Sequence, residues 1–200
     1  SIAYMLQDHF RKGTAYLTES YDNTGKLLGK SENFVALSPV VGTSVQFPYL
    51  VRSDNYLYGA DGSLKQRSAQ VMDYDLTNGN VTKKVQYGAI DITTPSLSII
   101  ADPKVVTSID NNVLTTTIDY VNNAAQPFMS LPKLTTISDK LGTTIKKTWF
   151  YYDNSTDNNA LFTNGLLTKK EDWNGDTNPR LVTTYAYDVI GNLTSTTDPS

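Results

Sequence analysis

The sequence lacks cysteine altogether and contains a single histidine, His9, in 200 residues. The absence of cysteine excludes disulfides, iron–sulfur clusters and thiolate zinc sites within this chain. A Ser-His-Asp or Cys-His arrangement would have to use His9, and no Gly-x-Ser-x-Gly elbow is present to hold a nucleophile. Because His9 lies between Asp8 and Phe10, a surface or packing role is the simpler interpretation. Neither a glycine-rich phosphate loop nor a histidine spacing typical of metal sites occurs.

Charge and long apolar runs are also scarce. Charged residues make up 18% of the chain, below the roughly 25% usual for soluble domains, and the formal net charge is -3. No cluster of Lys and Arg interleaved with aromatic residues appears, so nucleic acid is not expected as a partner. No apolar run approaches the ~18 residues that cross a bilayer, and residues 1–10 lack the cationic start and apolar centre of a signal peptide. We therefore expect no membrane span in this chain.

The residues that are present favour β-strands. Hydrophobic residues make up 39% of the chain and aromatic residues 10%, including 13 tyrosines, which suits pleated strands and is enough for a core of ordinary size. Apolar and polar residues alternate from Leu114 to Tyr120, and residues 144–152 and 181–188 follow the same two-residue period. The helical i, i+3, i+4, i+7 spacing is not sustained anywhere and appears only faintly in residues 2–10. The sequence predicts an all-β chain with little or no helix.

Turn signals separate these runs at short intervals. Gly and Asn permit the positive φ that other residues adopt only at a cost, and Asp is a frequent turn former. The signals lie at Asn23-Thr24-Gly25, Asp61-Gly62, Asn78-Gly79-Asn80, Asp110-Asn111-Asn112, Asp139 to Gly142, Asn164-Gly165 and Asn174-Gly175-Asp176. The arrangement predicts successive antiparallel hairpins, of which the last runs from residue 181 through a turn at 189–192 to residue 197.

Prolines are expected to interrupt strands rather than to mark a flexible linker, because apolar residues continue on both sides of each break. The breaks lie at Ser38-Pro39, Thr94-Pro95, Asp102-Pro103 and Leu131-Pro132. Since no stretch reads as a linker between domains, we predict a single β-sheet segment over residues 1–200.

A short motif recurs along the chain. In its clearest copy, Tyr185 to Pro199 reads Tyr-Ala-Tyr-Asp-Val-Ile-Gly-Asn-Leu-Thr-Ser-Thr-Thr-Asp-Pro. In each copy the tyrosine would close a strand, the aspartate would accept hydrogen bonds from amides two residues on, and the glycine would permit a left-handed turn residue. The clearest repeats occupy residues 14–31, 72–86 and 180–199, with the tyrosines of the copies at Tyr21, Tyr58, Tyr74, Tyr152 and Tyr187.

The copy at the carboxyl end resembles the Y-x-Y-D-x-x-G-N-L-T-x-x-x-D-P signature of YD repeats, also called Rhs repeats. Two further stretches, Phe10 to Asp22 and Ser130 to Asp153, resemble the B-component region of Tc-type insecticidal toxin complexes. Together with the repeats, this resemblance covers most of the chain. It implies that stacked hairpins form part of a large coiled sheet, which is the wall of a hollow shell or cocoon.

The resemblance also implies a structural function. We expect a shell segment of a secreted or cell-surface bacterial virulence protein that encloses a carboxy-terminal effector and is not itself an enzyme. The expected partners are neighbouring repeats of the same chain, other toxin-complex subunits and the enclosed effector. No catalytic, cofactor-binding or metal-binding residues are expected, and no cofactor.

The alternative is a cell-surface β-module in which the sheet, or a long loop such as residues 153–164, binds carbohydrate or a receptor. Solvent-facing, clustered Trp149 and Trp173 would favour binding, whereas burial of both between strands would favour the wall. An aromatic series is consistent with either a sugar platform or cross-strand packing, and packing is the expected use. Its members are Tyr16, Tyr21, Tyr74, Trp149, Tyr151, Trp173, Tyr185 and Tyr187.

Some acidic residues are candidates for calcium ligands or for catalytic carboxylates. Residues 153–159 and 172–178 present oxygen side chains at alternate positions, as calcium loops do, but neither has the glutamate at the twelfth position. Solvated hairpin loops are the simpler interpretation. Carboxylate pairs such as Glu19 with Asp22, or Glu171 with Asp172, are expected at strand ends rather than in a glycosidase site.

Overall fold

The computed structural model describes residues 1–39, 44–93, 97, 101–126 and 130–199, and these contain twelve β-strands and no α-helix. The strands are β1 (Ile2–Met5), β2 (Ala15–Tyr21), β3 (Leu27–Pro39), β4 (Gln46–Tyr58), β5 (Leu64–Asp75), β6 (Asn80–Tyr87), β7 (Val113–Asn122), β8 (Ser130–Ser138), β9 (Thr144–Tyr152), β10 (Leu167–Asp172), β11 (Leu181–Tyr187) and β12 (Leu193–Thr197). The prediction of an all-β chain is confirmed. Residues 2–10, where the spacing is faintly helical, contain β1 instead. Within the described ranges, no helix is long and apolar enough to span a membrane.

The chain divides into two compact units, Ser1–Leu114 and Thr115–Ser200. In the first unit, β1 to β6 follow one another in chain order, and each pairs antiparallel with the next. In the second unit, β7 to β12 pair in the same sequential way. Within each unit, every strand therefore lies beside its neighbour in sequence, which confirms the predicted succession of antiparallel hairpins. The extent of the predicted segment, residues 1–200, stays a prediction.

The hairpin turns use the predicted aspartate and glycine. In the last hairpin, Asp188 Oδ1 accepts hydrogen bonds from the N–H groups of Ile190 at 3.0 Å and Asn192 at 2.9 Å. These donors, first that of Asn192, hold the pKa of Asp188 below its ordinary value. Gly191 has a φ of 90°, and its N–H donates to the carbonyl oxygen of Asp188 at 3.1 Å, as in a three-residue turn that ends in a left-handed glycine. The same arrangement recurs at Asp22 with Gly25 and at Asp139 with Gly142.

The repeat tyrosines lie at strand ends, as predicted, and two of them bind the adjacent strand. Tyr152, the last residue of β9, donates from its hydroxyl to the carbonyl of Pro132 on β8 at 2.7 Å. Tyr187, the last residue of β11, donates to the carbonyl of Leu167 on β10 at 2.9 Å. Both carbonyls lie directly before a residue at which the register shifts, where the backbone ladder is interrupted. The tyrosine hydroxyl thus supplies a donor where the ladder does not.

The predicted strand break at Leu131-Pro132 is wrong. Pro132 lies inside β8 and pairs with Tyr120 beside a register shift. A bulge tolerates a residue without an N–H group, so the strand continues through the proline. Pro39 ends β3 and Pro103 lies between strands, as predicted, whereas Thr94-Pro95 lies outside the described residues.

Two long connections supply apolar core to the sheet of each unit. In the first unit, Ile90 and Leu97 lie in the connection after β6 and are 1% and 4% exposed. In the second unit, Phe162 lies in the connection after β9, is 2% exposed, and packs against Tyr152 with ring centroids 6.4 Å apart. Each connection therefore folds back and buries apolar side chains against strands of its own unit, which stabilises the unit through the hydrophobic effect.

A single carboxylate closes the connection after β9. Asp153 Oδ2 accepts hydrogen bonds from the N–H groups of Thr163 at 2.6 Å, Asn164 at 2.9 Å and Gly165 at 3.1 Å, and its Oδ1 accepts one from Leu166 at 3.0 Å. Asp153 has a φ of 53°, a left-handed conformation that aspartate tolerates better than most residues. The connection between β9 and β10 is therefore a closed loop anchored at its base.

Replacing Gly191 by valine is expected to destabilise the β11–β12 hairpin by about 1–2 kcal/mol, because a β-branched residue is forced into a left-handed conformation. Hydrogen exchange of the β12 amides should show protection reduced by roughly tenfold. Gly191→Asn is the matched control, since asparagine tolerates positive φ. An added Cβ meets only Leu166 Cδ2, at an ordinary 3.8 Å, so crowding does not confound the comparison. Unchanged protection in the valine variant would contradict the turn assignment.

Candidate functional site

Three charged side chains form a deeply buried cluster in the first unit. Arg52 and Asp54 are two residues apart on β4 and share a face, and Arg67 reaches them from β5. Arg52 donates from Nε to Asp54 Oδ1 at 2.6 Å and from Nη2 to Oδ2 at 2.8 Å. Arg67 donates to Oδ2 from Nε at 3.0 Å and from Nη2 at 2.6 Å. All three residues are at most 1% exposed, so one carboxylate accepts hydrogen bonds from two guanidinium groups away from water.

The connection after β6 covers this cluster. Arg52 Nη1 donates to the carbonyl oxygens of Pro103 at 3.2 Å and Val105 at 3.0 Å. The N–H of Ile90 donates to the carbonyl oxygen of Arg67 at 2.9 Å. Because buried charges cost several kcal/mol unless they are paired and hydrogen-bonded, the cover and the cluster depend on one another. The cluster ties the connection to the sheet, and the connection keeps water from the cluster.

A lysine, a glutamate and a tyrosine extend the cluster across β3 and β4. Lys30 pairs directly with Tyr56, and its Nζ lies 4.2 Å from the centroid of the tyrosine ring. Lys30 Nζ also lies 2.8 Å from Glu32 Oε1, and the Tyr56 hydroxyl donates to Glu32 Oε2 at 2.7 Å. Burial, followed by this bond to the carboxylate, raises the pKa of Tyr56. We call this arrangement of two neighbouring strands a Lys-x-Glu/Tyr triad.

The second unit builds the same triad from β9 and β10. Lys169 pairs directly with Tyr151, its Nζ lies 3.7 Å from the ring centroid, and the same atom lies 2.8 Å from Glu171 Oε1. The Tyr151 hydroxyl donates to Glu171 Oε2 at 2.8 Å. Arg180 adds a second cation: its Nη1 donates to Glu171 Oε2 at 2.7 Å, and its guanidinium lies 3.6 Å from the Trp149 ring. In both units the lysine faces the tyrosine in the strand register.

The sequence alone did not predict the triads, although the lysine and glutamate of each lie in a shared sequence pattern. Residues 27–32 read Leu-Leu-Gly-Lys-Ser-Glu, and residues 166–171 read Leu-Leu-Thr-Lys-Lys-Glu. The shared Leu-Leu-x-Lys-x-Glu pattern follows a turn glycine in both cases. The tyrosine has no fixed spacing from this pattern, because it lies on the following strand in the first unit and on the preceding strand in the second. Only strand pairing brings the three residues together.

The protonation states of Glu171 and Tyr151 keep the second triad hydrogen-bonded between β9 and β10 at neutral pH. Although burial acts in the opposite direction, hydrogen bonds from Lys169, Arg180 and Tyr151 lower the pKa of Glu171 to about 2. Burial and the bond to Glu171 raise the pKa of Tyr151 to about 12. At neutral pH the glutamate is charged and the tyrosine is protonated. Neither group is tuned to exchange protons near pH 7, which is the property that acid–base catalysis requires.

The residues weighed for catalysis and metal binding make structural contacts. His9 is exposed and packs edge-on against Phe10, with ring centroids 4.8 Å apart. Asp153 and Asp172, which begin the two acidic turns, accept hydrogen bonds from loop amides and from Thr148 Oγ1, respectively. In the part of the chain that the structure describes, no group of three or more His, Asp or Glu side chains is placed to hold a metal ion.

The exposure of the two tryptophans is intermediate between that expected for a binding surface and that expected for a wall. Trp149 and Trp173 are both half-buried, the former beneath Arg180. Trp173 Nε1 donates to Asp176 Oδ1 at 3.2 Å. Cross-strand packing is confirmed for two members of the aromatic series, Tyr16 against Tyr4 with centroids 6.4 Å apart and Tyr74 against Tyr49 with centroids 5.2 Å apart.

The fold is similar to part of much longer solved chains. No protein-family model and no curated protein matches the sequence. The crystal structure of TcdB2-TccC3-TEV matches 94% of this chain with a TM-score of 0.57 and 12% identity, and that of TcdB2-TccC3 without hypervariable C-terminal region matches 94% with a TM-score of 0.57 and 11% identity. The chain spans 13% of the length of each of these chains. At such identity the likeness is one of fold.

Replacing Asp54 by asparagine is expected to lower the free energy of unfolding of the first unit by about 3–5 kcal/mol, because two buried arginines lose their counter-charge. Urea denaturation measures the change. The matched control is Asp73→Asn. Asp73 is 39% exposed and pairs with Lys104 of the connection after β6, so its replacement should lower the free energy of unfolding by less than about 1 kcal/mol. Equal, small losses in both variants would show that the buried cluster does not hold the connection.

Acid should remove the stabilisation that Glu171 provides. The pKa of Glu171 is about 2 in the folded chain against an ordinary 4.5, so the unfolded state binds the proton more readily, and stability falls as the pH drops from 4.5 towards 2. The Glu171→Gln variant lacks this titration. The difference in unfolding free energy between the wild type and the variant should therefore shrink across that window in urea denaturation. A difference that stays constant would contradict the charged triad.

Proposed function

We propose that this chain is a wall segment of a shell formed by a secreted YD-repeat protein, in which it helps to enclose a carboxy-terminal effector and performs no catalysis. The observation that carries the proposal is that β1 and β12 each have one edge that no described strand pairs with. Among the described residues, β1 of the first unit pairs only with β2, and β12 of the second unit pairs only with β11. Every residue of both strands is exposed. Such strands present unpaired N–H and C=O groups to a further strand.

The fold likeness to TcdB2-TccC3, a Tc toxin complex protein, supports this proposal. The chain corresponds to 13% of the length of those solved chains, so in a comparable protein further polypeptide would continue from the open strands. Neighbouring repeats of the same chain would then be the immediate partners, with other toxin-complex subunits and the enclosed effector as further ones. The recurring tyrosine and aspartate turns fit a wall assembled from one type of hairpin.

The internal contacts also suit a wall. Each triad joins two adjacent strands through charge and through a ring contact, and the Tyr152 and Tyr187 hydroxyls also join adjacent strands. The connections after β6 and β9 cover part of their own sheets. These features let a single layer of strands hold its shape with little apolar core, which is what a thin wall requires.

A receptor-binding or carbohydrate-binding module is the second candidate, and the hairpin tips favour it. Val189 and Ile190 are 105% and 80% exposed in the turn of the last hairpin, and Leu161 in the neighbouring loop is 68% exposed. Together with the adjoining loop residues Thr163 and Asn164, the two turn residues line a shallow groove. Exposed apolar side chains concentrated at loop tips are typical of interaction surfaces.

One pair of variants separates the two candidates. In the 200-residue chain, Thr194→Lys with Thr196→Lys places charge on the open β12 strand and should reduce concentration-dependent self-association in light scattering to what β1 alone supports. Val189→Lys with Ile190→Lys adds the same charge at the tips and should leave association unchanged. A wild-type chain that stays strictly monomeric at high concentration would contradict the wall proposal, and loss of association only in the tip variant would favour the binding module.

The same variants test enclosure in a full-length protein that contains this segment. The lysines on β12 should open the wall and make the carboxy-terminal polypeptide accessible to protease, whereas the lysines at the tips should leave it protected. A carboxy-terminal polypeptide that is cleaved equally in the wild type and both variants would show that the segment encloses nothing.

A further inference from the structure

Four turns contain an asparagine or aspartate directly before a glycine. They are Asp61-Gly62, Asn78-Gly79, Asn164-Gly165 and Asn174-Gly175. The four glycines have φ values of 80°, 78°, 72° and 83°, so their own backbone conformation is nearly the same. The turns differ in the hydrogen bonding of the glycine N–H group, and this difference has a chemical consequence.

An Asn-Gly pair is able to rearrange without an enzyme. The deprotonated glycine amide nitrogen attacks the asparagine Cγ, a C–N bond forms, the bond from Cγ to the side-chain nitrogen breaks, and ammonia leaves with the proton. Water then adds to one of the two carbonyls of the cyclic imide and opens the ring to aspartate or isoaspartate. Glycine favours the attack because it has no side chain to hinder the nitrogen. A glycine N–H that donates a strong hydrogen bond must first break it.

Three of the four glycine N–H groups donate a hydrogen bond. Gly62 donates to the carbonyl oxygen of Gly59 at 2.8 Å, and Gly79 donates to that of Asp75 at 2.8 Å. Gly165 donates to Asp153 Oδ2 at 3.1 Å, as part of the loop closure described above. In the second of these turns the asparagine side chain is also fixed, because Asn78 Nδ2 donates to Asp75 Oδ2 at 2.8 Å and its Oδ1 accepts from the backbone of Asn80 at 3.0 Å.

The fourth turn is different. No residue that the structure describes accepts a hydrogen bond from the N–H of Gly175, and none is hydrogen-bonded to the side-chain amide of Asn174, which is exposed. The backbone on either side is anchored, because the N–H of Trp173 donates to Lys147 O at 2.9 Å and Asn178 Nδ2 donates to Asn174 O at 2.9 Å. The side-chain amide of Asn174 and the N–H of Gly175 are therefore free of such bonds within a turn whose flanking backbone is anchored.

We infer that Asn174 is a site of spontaneous modification in the folded protein, at which the side-chain amide is converted to aspartate and isoaspartate. The conversion adds one negative charge to a net charge of -3. In the isoaspartate form the main chain gains a methylene between Trp173 and Asp176, whose side chains are hydrogen-bonded at 3.2 Å. The change is confined to the turn between β10 and β11 and leaves the pairing of those strands, from Lys169 with Thr184 to Asp172 with Leu181, in place.

Peptide mapping by mass spectrometry after incubation at mildly alkaline pH tests the inference. In the native chain Asn174 should convert at least about fivefold faster than Asn78 and Asn164, the factor that corresponds to ~1 kcal/mol for a hydrogen bond that must first break. In urea the three sites should convert at similar rates, because the bonds that hold Gly79 and Gly165 are lost. The Asn174→Gln variant should not accumulate the acidic form on anion exchange.

Two results would overturn the assignment. The first is conversion of Asn78 or Asn164 in the native chain at the rate of Asn174, since the held amides would then offer no protection. The second is a native preference for Asn174 that persists unchanged in urea, since the cause would then lie in the local sequence and not in the folded turns.

Discussion

A sheet face that is covered by a loop of its own unit must pair every polar group buried there, and this constraint organises the first unit. Asp54 holds two arginines, and Arg52 in turn holds the backbone carbonyls of the connection that covers it. The apolar side chains of that connection, Ile90 and Leu97, gain their burial from the same contact. Charge pairing and hydrophobic burial therefore stabilise one another here, and neither would persist if water entered.

The second unit meets the same constraint by a different route. Its connection after β9 is closed by Asp153 through four backbone amides, and Phe162 is buried against Tyr152. The Lys169, Glu171 and Tyr151 triad repeats the geometry found in the first unit, with the tyrosine on the opposite neighbour of the lysine strand. The triad therefore joins adjacent strands in both units by the same contacts.

The hairpin is the unit from which both halves are built, and its local chemistry explains the open strands. The turns at Asp22, Asp139 and Asp188 satisfy their own amides through the aspartate and need no partner beyond two strands, so hairpins follow one another in chain order. Nothing in such a turn ends the series. A sheet built this way exposes an unpaired strand unless a further hairpin continues it, and the proposed role as a wall segment follows from that property.

The sequence by itself determined what depends on neighbours along the chain: the alternation of the strands, the aspartate and glycine turns, the tyrosines at strand ends and the β12 bounds, Leu193–Thr197. The prediction at Pro132 is wrong, because whether a strand tolerates a missing N–H depends on the bulge beside it. The buried Arg52, Asp54 and Arg67, the covering connections and the triads were decided only by tertiary structure. The residues that make these contacts lie between 2 and 53 positions apart in sequence. Strand register and the folding of the connections onto the sheet bring them together, and short-range sequence patterns do not predict either.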